Sequence, residues 1–336
     1  MAEQQSGKDR HRAGQLVRQW QQHQRPDIAG LDKFMNTDRD PPDRKPPLVT
    51  VAMPVYNAGK YLRLAVLSIV GQTFSDWELL IIDDGSTDNA LQDIADIVDA
   101  RIRIIRDGVN KGLAARLNEC IDLARGQYIA RMDQDDVSFP ERFERQVHAL
   151  QTESGLDLVA VRAMTISGDN LFTGWLPYDK THQEITARPW RGFYLPHPTW
   201  MGRTEWFTRY RYRIPGPYFC EDQELLLRSY RNSHFKMLEE PLFAYRIRDG
   251  INWRKHLKTR LVVAQVQLRH FLRCGQVGFA MLAFMVLSGR LLSDLLRFFT
   301  GTVQSRVSSE SVAAEKMWKF ALSRVEKVKV QHEKSC

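Results

Sequence analysis

The sequence has few cysteines, no apolar segment at its start and no internal repeat. Its four cysteines, Cys120, Cys220, Cys274 and Cys336, lack the spacing of a disulfide framework or a metal-binding pair. We therefore expect reduced thiols in a cytosolic protein. The first residues are polar and charged, so we expect no secretory signal peptide. The absence of repeats and low-complexity tracts argues against a repeat architecture.

Positive charge is present, but it is unevenly distributed. The chain of 336 residues has a formal net charge of +8. Residues 251–336 contain 15 Lys or Arg against 5 Asp or Glu, a balance of +10, so the remainder is near −2. This distribution argues against a nucleic-acid-binding core and predicts a basic C-terminal region that meets an anionic surface.

Strand and helix patterns alternate in the first half of the chain. Apolar, β-branched runs predict strands at 48–55, 78–82, 101–106 and 128–132. Amphipathic patterns predict helices at 60–71, 113–124 and 141–151, and a further helix that ends at Val98 with Ser86 or Asp88 as its cap. Ser138 and Glu141 have the spacing of a capping box at the start of the 141–151 helix. This alternation predicts βαβ units and a parallel sheet.

The same patterns divide the chain into three parts. Residues 1–47 are rich in Gln, Arg, Asp and Pro, which predicts a flexible N-terminal extension. Residues 48–250 are expected to form one α/β domain, whose pattern changes after residue 151. Residues 251–336 are expected to form a basic, amphipathic, helical C-terminal region.

An acidic cluster follows the strand predicted at 128–132. Asp133 and Asp135 come directly after it, at the edge of an open α/β sheet where ligands bind. Carboxylates crowded at one edge repel one another unless a cation lies between them, and Mg²⁺ or Mn²⁺ prefers such oxygen ligands beside a substrate diphosphate. The alternative is a solvated acidic turn that only caps the next helix.

A second group of candidate residues lies after residue 151. Arginines and aromatic residues are interspersed over 188–213, which suits either stacking on sugar rings or an ordinary surface over a core. His197 lies in this segment, and we interpret it as structural. Glu221 and Asp222 begin a helix, and helical geometry alone does not decide which of the two faces a substrate.

Together these segments resemble the family 2 glycosyltransferases of the GT-A fold. The similarity covers residues 48 to about 249, and the motifs that carry it occur in the family's order. They are Pro54-Val55-Tyr56-Asn57, Asp83-Asp84-Gly85-Ser86-Thr87-Asp88, Asn110-Lys111-Gly112, Asp133-Gln134-Asp135 and Glu221-Asp222. The resemblance implies an α/β GT-A fold: a mostly parallel nucleotide-binding sheet flanked by helices, here with a C-terminal helical appendage. It also implies that residues 48–250 are the catalytic domain, with a nucleotide-sugar half at 48–150 and an acceptor half at 151–250.

The resemblance also implies roles for individual residues. Pro54, Tyr56 and Asn57 would cradle the nucleoside of a nucleotide-diphosphate sugar, and Asp84 would hydrogen-bond its uracil. Lys111 or Arg116 would approach the diphosphate.

The acidic motifs receive the chemical roles. Asp133 would support the ribose and phosphates, Asp135 would bind Mg²⁺ or Mn²⁺ directly, and Asp222 would be the catalytic base of an inverting transfer. One departure concerns Tyr245-Arg246-Ile247-Arg248, where many relatives have Tyr-Arg-x-His. Arg248 would then act as a cation on the diphosphate in place of the histidine.

The C-terminal region contains one apolar run, 277–287, which ends at Ser288-Gly289-Arg290. This run is shorter than the roughly 20 apolar residues that a membrane-spanning helix needs. We therefore expect an interfacial helix or helical hairpin on the cytoplasmic leaflet, held by Arg and Lys to anionic lipid. The alternative is a helix packed on the catalytic domain or in a dimer interface.

The sequence thus predicts a cytoplasmic, membrane-peripheral, metal-dependent glycosyltransferase of the hexosyl or N-acetylhexosaminyl type. The expected acceptor is a saccharide or lipid-linked saccharide used for a surface polysaccharide. Two alternatives are a nucleotidyltransferase on a related scaffold, although residues 54–60 lack a Gly- and Arg-rich phosphate loop, and a catalytically inactive sugar-nucleotide-binding scaffold.

Overall fold

The fold is described from a computed structural model, which covers residues 45–217, 219–247, 253–300 and 309–335. The expected N-terminal extension, apart from its last three residues, and Arg248 lie outside the described residues.

The described residues form a single nine-stranded mixed sheet, in the order β3-β2-β1-β4-β8-β6-β9-β5 with β7 paired to β6. The strands are β1 Val49–Val55, β2 Trp77–Asp83, β3 Ile102–Arg106, β4 Tyr128–Arg131, β5 Val137–Ser138, β6 Leu158–Ile166, β7 Phe172–Trp175, β8 Met201–Arg203 and β9 Phe235–Arg246.

Helices cover both faces of this sheet and continue beyond its last strand. They are α1 Leu62–Val70, α2 Leu113–Leu123, α3 Arg142–Thr152, α4 His182–Thr186, α5 Thr204–Arg209, α6 Glu221–Ser229, α7 Trp253–Arg273, α8 Val277–Thr300 and α9 Ser309–Ser335. Short 3₁₀ turns occur between them, including Gly59–Tyr61, Gln92–Ile94, Pro189–Arg191 and His197–Thr199.

The first half of the sheet is parallel, as the alternating pattern predicted. Strands β3, β2, β1 and β4 pair in parallel, with Val55 opposite Asp83 at the carboxyl ends of β1 and β2. Every residue of β1 and β2 is buried. A strand covered on both faces needs apolar residues at nearly every position, so neither sequence alternates between apolar and polar residues. Their carboxyl ends meet at one edge, where the loops carrying the acidic motifs emerge.

The second half of the sheet is mixed. Strand β8 is antiparallel to both β4 and β6, and so joins the two halves. Strands β6 and β9 then pair in parallel with two register shifts near Arg162. Ala244 and Phe243 of β9 pair with Val137 and Ser138 of β5, so the end of β9 lies beside the segment that follows β4.

Two expected helix starts are wrong. No α-helix ends at Val98, where the described chain makes only the 3₁₀ turn Gln92–Ile94. The two expected caps bond elsewhere, since Asp88 accepts from the backbone of Gly59 (2.8 Å) and the Ser86 hydroxyl accepts from that of Asn57 (3.1 Å). The backbone of residues 57–59, just before α1, thus donates to one oxygen of each side chain. The second oxygen of Asp88 accepts from the backbone of Ala90 (3.4 Å), but none of the described α-helices begins there.

The expected capping box at Ser138 and Glu141 is also absent from the described structure. Ser138 belongs to β5, where its hydroxyl accepts from Gln72 (3.1 Å). Glu141 occupies the N-cap position of α3 without a side-chain cap and instead pairs with Arg324 of α9. A capping box does occur at Thr181 and Glu184, at the start of α4.

The C-terminal helices belong to the same packing unit as the sheet, since residues 43–336 cluster together. Trp318 of α9 is buried to 1% exposure and stacks on Phe139 at 6.2 Å between ring centroids. Its indole nitrogen donates to the carbonyl oxygen of Asn170 (2.7 Å). Helix α9 therefore packs on the sheet domain through Trp318.

Candidate active site

A cleft of 1330 Å³ opens at the carboxyl edge of the parallel strands. The loops after β1, β2 and β4 form one wall, and the segments 193–198 and 219–223 form another. The expected site residues that line it are Pro54, Tyr56, Asp84, Asp133, Asp135, Glu221 and Asp222. Four motifs distant in sequence thus meet in one cavity, whose remaining wall includes Lys255 and Thr259 of α7.

The acidic loop after β4 is tied to the loop after β1. The side-chain amide of Gln134 accepts from the backbone nitrogen of Tyr56 (2.6 Å) and donates to its carbonyl oxygen (2.9 Å). On the inner side, the buried guanidinium of Arg131 pairs with Asp133. These contacts hold the half-buried carboxylates of Asp133 and Asp135 at the cleft surface, so the loop is more than a solvated helix cap.

Arg246, at the end of β9, supports the same loop from below. Its backbone nitrogen donates to Asp136 (2.7 Å) and its Nε donates to the carbonyl oxygen of Asp135 (2.6 Å). One terminal nitrogen donates to the carbonyl oxygen of Ser167 (2.7 Å), and the guanidinium lies 4.6 Å from the centroid of the Tyr61 ring. Arg246 is only 4% exposed, so the end of β9 and the acidic loop are held together.

The carboxylates of this loop fit a hard divalent cation. Burial, followed by the charges of Asp133 and Asp135, raises the pKa of Asp136 well above its usual range. One oxygen of Asp136 is inaccessible to solvent and has no hydrogen-bond partner. Among the described residues no three Asp, Glu, His or Cys side chains make a complete metal site. The loop therefore suits a Mg²⁺ or Mn²⁺ ion that takes one or two protein carboxylates and completes its coordination with substrate phosphates.

The opposite end of the cleft contains Asp84, whose carboxylate is already engaged. It accepts from the backbone nitrogens of Lys111 (2.6 Å) and Gly112 (3.0 Å) and from Nε of Arg116 (2.9 Å). Asp84 therefore anchors the start of α2 to the end of β2, and its edge still faces the cleft.

Three expected contact residues are not part of the cleft wall. Arg116 is fully buried and also pairs with Asp107 (2.6 Å) and Glu119 (2.7 Å). The ammonium of Lys111 pairs with Asp107 at 2.6 Å. Asn57 adopts a left-handed conformation (φ 47°) and its side-chain oxygen accepts from the backbone of Thr87 (2.8 Å). In this arrangement these side chains shape the loops around the cleft.

Glu221 and Asp222 begin α6 on the far wall, and both line the cleft. Burial and the charge of Asp222 raise the pKa of Glu221 to about 7. Burial likewise raises the pKa of Asp222, whose carboxylate accepts from the side chain of Gln223 (3.3 Å). Two adjacent, partly desolvated carboxylates of this kind are suited to exchange a proton near neutral pH.

His197 lies beneath this pair. Its Nε2 is 2.6 Å from the hydroxyl of Tyr212, and its Nδ1 is 3.8 Å from Glu221. Burial and the nearby Arg131 hold the pKa of His197 well below its usual range, so the ring is neutral. It therefore supports the wall, in agreement with the structural interpretation, although it also lines the cleft.

The aromatic segment 188–213 is largely core. Phe193, Trp200, Trp206 and Tyr212 are all at most 5% exposed, so they pack in the core. Tyr194 is the exception, since it is 39% exposed and lines the cleft.

Sequence reasoning missed three residues that organise the acidic loop: Arg131, Gln134 and Arg246. A charged residue at the last position of a buried strand, as Arg131 is in β4, was the available signal, because a buried charge requires a partner. Arg246 gave no comparable signal, because its partners are backbone groups more than 70 residues away.

The chain that forms this cleft is similar to known glycosyltransferases. Residues 50–211 match the family model described as glycosyl transferase family 2. An O-antigen biosynthesis glycosyltransferase, WbnJ of Escherichia coli, is 29% identical over 233 residues, which cover 67% of this chain and 89% of that protein. The uncharacterized glycosyltransferase MJ1057 of Methanocaldococcus jannaschii is 28% identical over 229 residues, which cover 66% and 79%.

Other relatives match over shorter segments. The Escherichia coli UDP-Glc:alpha-D-GlcNAc-diphosphoundecaprenol beta-1,3-glucosyltransferase WfgD is 35% identical over 100 residues, covering 30% of this chain and 40% of that protein. Several curated relatives are matched over only 39–42% of their own length.

Solved structures share the fold. The crystal structure of S. aureus TarS 1-349 in complex with UDP-GlcNAc superposes with a TM-score of 0.51 at 19% identity, covering 66% of each chain. The TarS 1-349 complex with UDP gives 0.52 at 16% identity, covering 86% of this chain and 92% of that one. The expected GT-A fold with C-terminal helices is confirmed.

Proposed function

We propose that the chain, whose residues 50–211 match the glycosyl transferase family 2 model, transfers a sugar from a nucleotide-diphosphate sugar to a saccharide or lipid-linked saccharide, with inversion at the anomeric carbon. One observation carries this proposal. A carboxylate loop at 133–136 and a carboxylate pair at 221–222 face one cleft from two walls. A group transfer needs a charge-stabilising site for the leaving group and a separate base for the attacking group.

The donor that we propose is a UDP-sugar carrying a hexose or an N-acetylhexosamine. The nucleoside would lie against Pro54 and Tyr56, with the edge of Asp84 facing the base. The relative WfgD is named for a UDP-glucose donor and WbnJ for O-antigen biosynthesis. We accordingly propose a role in surface polysaccharide synthesis.

Asp133 and Asp135 would hold a Mg²⁺ or Mn²⁺ ion. When bound, such an ion neutralises charge on the leaving diphosphate. Asp133 is positioned by Arg131, and the backbone of Asp135 is positioned by Arg246. The chain thereby holds the carboxylates in place before the donor arrives, which reduces the reorganisation needed during the reaction.

Asp222 would take the acceptor proton. As the acceptor oxygen bonds to the anomeric carbon, the bond from that carbon to the diphosphate oxygen breaks with its electron pair, and the hydroxyl proton passes to the carboxylate. Glu221, with its pKa near 7, lies beside Asp222 and its charge tunes the proton affinity of the pair.

We also propose that the protein acts in the cytoplasm, at the inner face of the cell membrane. One described helix, over Val277–Leu296, is long and apolar enough to cross a membrane by length and composition alone (mean hydropathy 1.7). The basic C-terminal balance favours the leaflet that carries anionic lipid.

A donor-hydrolysis screen tests the function. Purified full-length protein is incubated with a panel of UDP-, GDP- and dTDP-sugars, with Mn²⁺ or with EDTA, and the released nucleoside diphosphate is measured. We expect Mn²⁺-dependent release from at least one UDP-sugar and its loss in Asp135→Ala. Asp169→Ala, which removes an exposed carboxylate outside the cleft, is the matched control. Activity that is equal with EDTA, or intact in Asp135→Ala, would contradict the metal assignment.

A further inference from the structure

Helix α8 has an exposed apolar stripe. Each residue of an α-helix is rotated by about 100° from the one before it, so side chains three, four and seven residues apart lie on one face. In α8 the stripe occupies a sector of this face about 120° wide. Within 277–296, only Gly278 and Ser288 interrupt this sector. Its apolar members, each more than half exposed, are Val277, Met281, Phe284, Met285, Leu292, Leu295 and Leu296. An exposed stripe of this length marks an interaction surface.

The partner helix supplies positive charge. Helix α7 contains six Arg or Lys and no Asp or Glu in its 21 residues. Exposed cations alternate with leucines along it, including Arg254, Leu257, Leu261, Arg269 and Arg273. The α7–α8 hairpin (253–300) thus combines an apolar stripe with cations, which is the combination that binds an anionic lipid surface.

The opposite side of α8 is covered by protein. Ala280 and Ala283 are buried, and Phe279 packs on Trp190 (4.9 Å) and on Phe271 of α7 (5.5 Å). Near the far end, Asp294 pairs with Arg260 of α7 at 2.7 Å. These contacts, together with the hydrogen bond from Arg290 to the carbonyl oxygen of Arg191 (2.9 Å), lie on one side of α8, so only its other side is open to lipid. The structure therefore favours a helix in the plane of the interface over one that crosses the bilayer.

The hairpin also forms part of the cleft. Lys255 and Thr259, in the first two turns of α7, line the cavity opposite the acidic loop. The ammonium of Lys255 lies 4.2 Å from the centroid of the Phe219 ring, two residues before Glu221. A surface that holds the hairpin therefore also holds the wall of the cleft next to the carboxylate pair.

We propose that the α7–α8 hairpin docks on an anionic lipid bilayer, lying in the interfacial plane, and that docking presents the α7 wall of the cleft to acceptors held in that bilayer. The second part rests on the proposed transfer reaction, whereas the docking does not. A second copy of the chain is a poorer occupant, because a two-fold contact through this hairpin brings the cations of α7 near their own copies.

Vesicle co-sedimentation of the full chain tests the docking. We expect binding to phosphatidylcholine vesicles containing about a third phosphatidylglycerol and little binding to phosphatidylcholine alone. Phe284→Glu should reduce the partition coefficient at least about tenfold. It replaces an apolar side chain that the lipid would bury with a negative charge, which the anionic lipid repels. Phe320→Glu is the matched control, since Phe320 is 65% exposed on α9.

Three outcomes would overturn the docking. Equal binding of wild type and Phe284→Glu would exclude the stripe. A wild type that ignores anionic vesicles but forms a dimer, which Phe284→Glu dissociates, would assign the stripe to a second copy. Resistance to alkaline carbonate extraction would indicate a spanning helix. Donor hydrolysis, measured on the same samples, checks that the variant is folded and reports separately on the proposed function.

Hydrogen exchange tests the orientation. Anionic vesicles should slow amide exchange over 277–296 and over the first turns of α7 that line the cleft, and leave α9 unchanged. Protection confined to 277–296 would refute the placement of the cleft wall at the membrane while leaving the docking intact.

Discussion

Replacing Trp318 with alanine tests whether helix α9 is part of the catalytic domain. The indole is 1% exposed, stacks on Phe139 and donates a hydrogen bond to the carbonyl oxygen of Asn170 (2.7 Å). Asn170 lies in the turn between β6 and β7 and has a positive φ of 61°. The change would therefore open a cavity against the sheet and leave this turn without its donor.

The expected cost follows from both losses. Removing a buried tryptophan side chain costs about 3–5 kcal/mol in free energy of unfolding, and the unpaired carbonyl adds about 1 kcal/mol. For a domain of this size each kcal/mol lowers Tm by about 2–4 °C. Trp318→Ala should therefore lower Tm by about 8–24 °C.

Thermal unfolding followed by circular dichroism measures this effect. Phe320→Ala, on the exposed side of the same helix, should stay within about 0.5 kcal/mol of wild type. If both variants melt like wild type, α9 does not belong to the core and the C-terminal region is a detachable appendage.

Two further predictions concern the cleft. Asp222→Asn should keep donor affinity and lose transfer by about 10²–10⁴, the usual contribution of a general base, whereas Glu221→Gln should cost less. The charges of the Glu221 and Asp222 carboxylates disfavour each other's ionisation. Glu221→Gln should therefore also move the acid limb of the kcat/KM profile to lower pH. If Glu221→Gln instead abolishes transfer and Asp222→Asn does not, Glu221 is the base. Arg246→Lys keeps the charge but loses the fork that holds the Asp135 backbone. It should weaken Mn²⁺-dependent UDP binding by about tenfold in calorimetry without changing metal-free binding, and an unchanged Mn²⁺ dependence would show that Arg246 does not position the loop.

The sequence alone determined the parallel half of the sheet and the location of its acidic loops. Buried parallel strands must be continuous apolar runs, and the polar loops after them are short and local. The pattern of residues adjacent in sequence was therefore enough to recognise the strands at 49–55 and 77–83 and the acidic loop at 133–136.

Local pattern failed where a polar side chain had a distant partner. Ser86, Asp88 and Ser138 each have a sequence typical of a helix cap, but their oxygens accept from groups 29 to 66 residues away. Spacing rules describe only the bonds a residue makes within its own turn, so they predicted helix starts that the tertiary contacts replaced.

Only the tertiary structure decided which polar residues meet in the cleft. The resemblance offered Lys111 or Arg116 as the residue near the diphosphate, and in the structure Arg116 is fully buried and pairs with Asp84, Asp107 and Glu119. Conversely, Trp318 has no distinctive sequence context, and Arg131, Arg246 and Trp318 each act through a partner that folding supplies. A buried charge or indole requires a specific counterpart in a low-dielectric interior, and the identity of that counterpart depends on how separate elements pack.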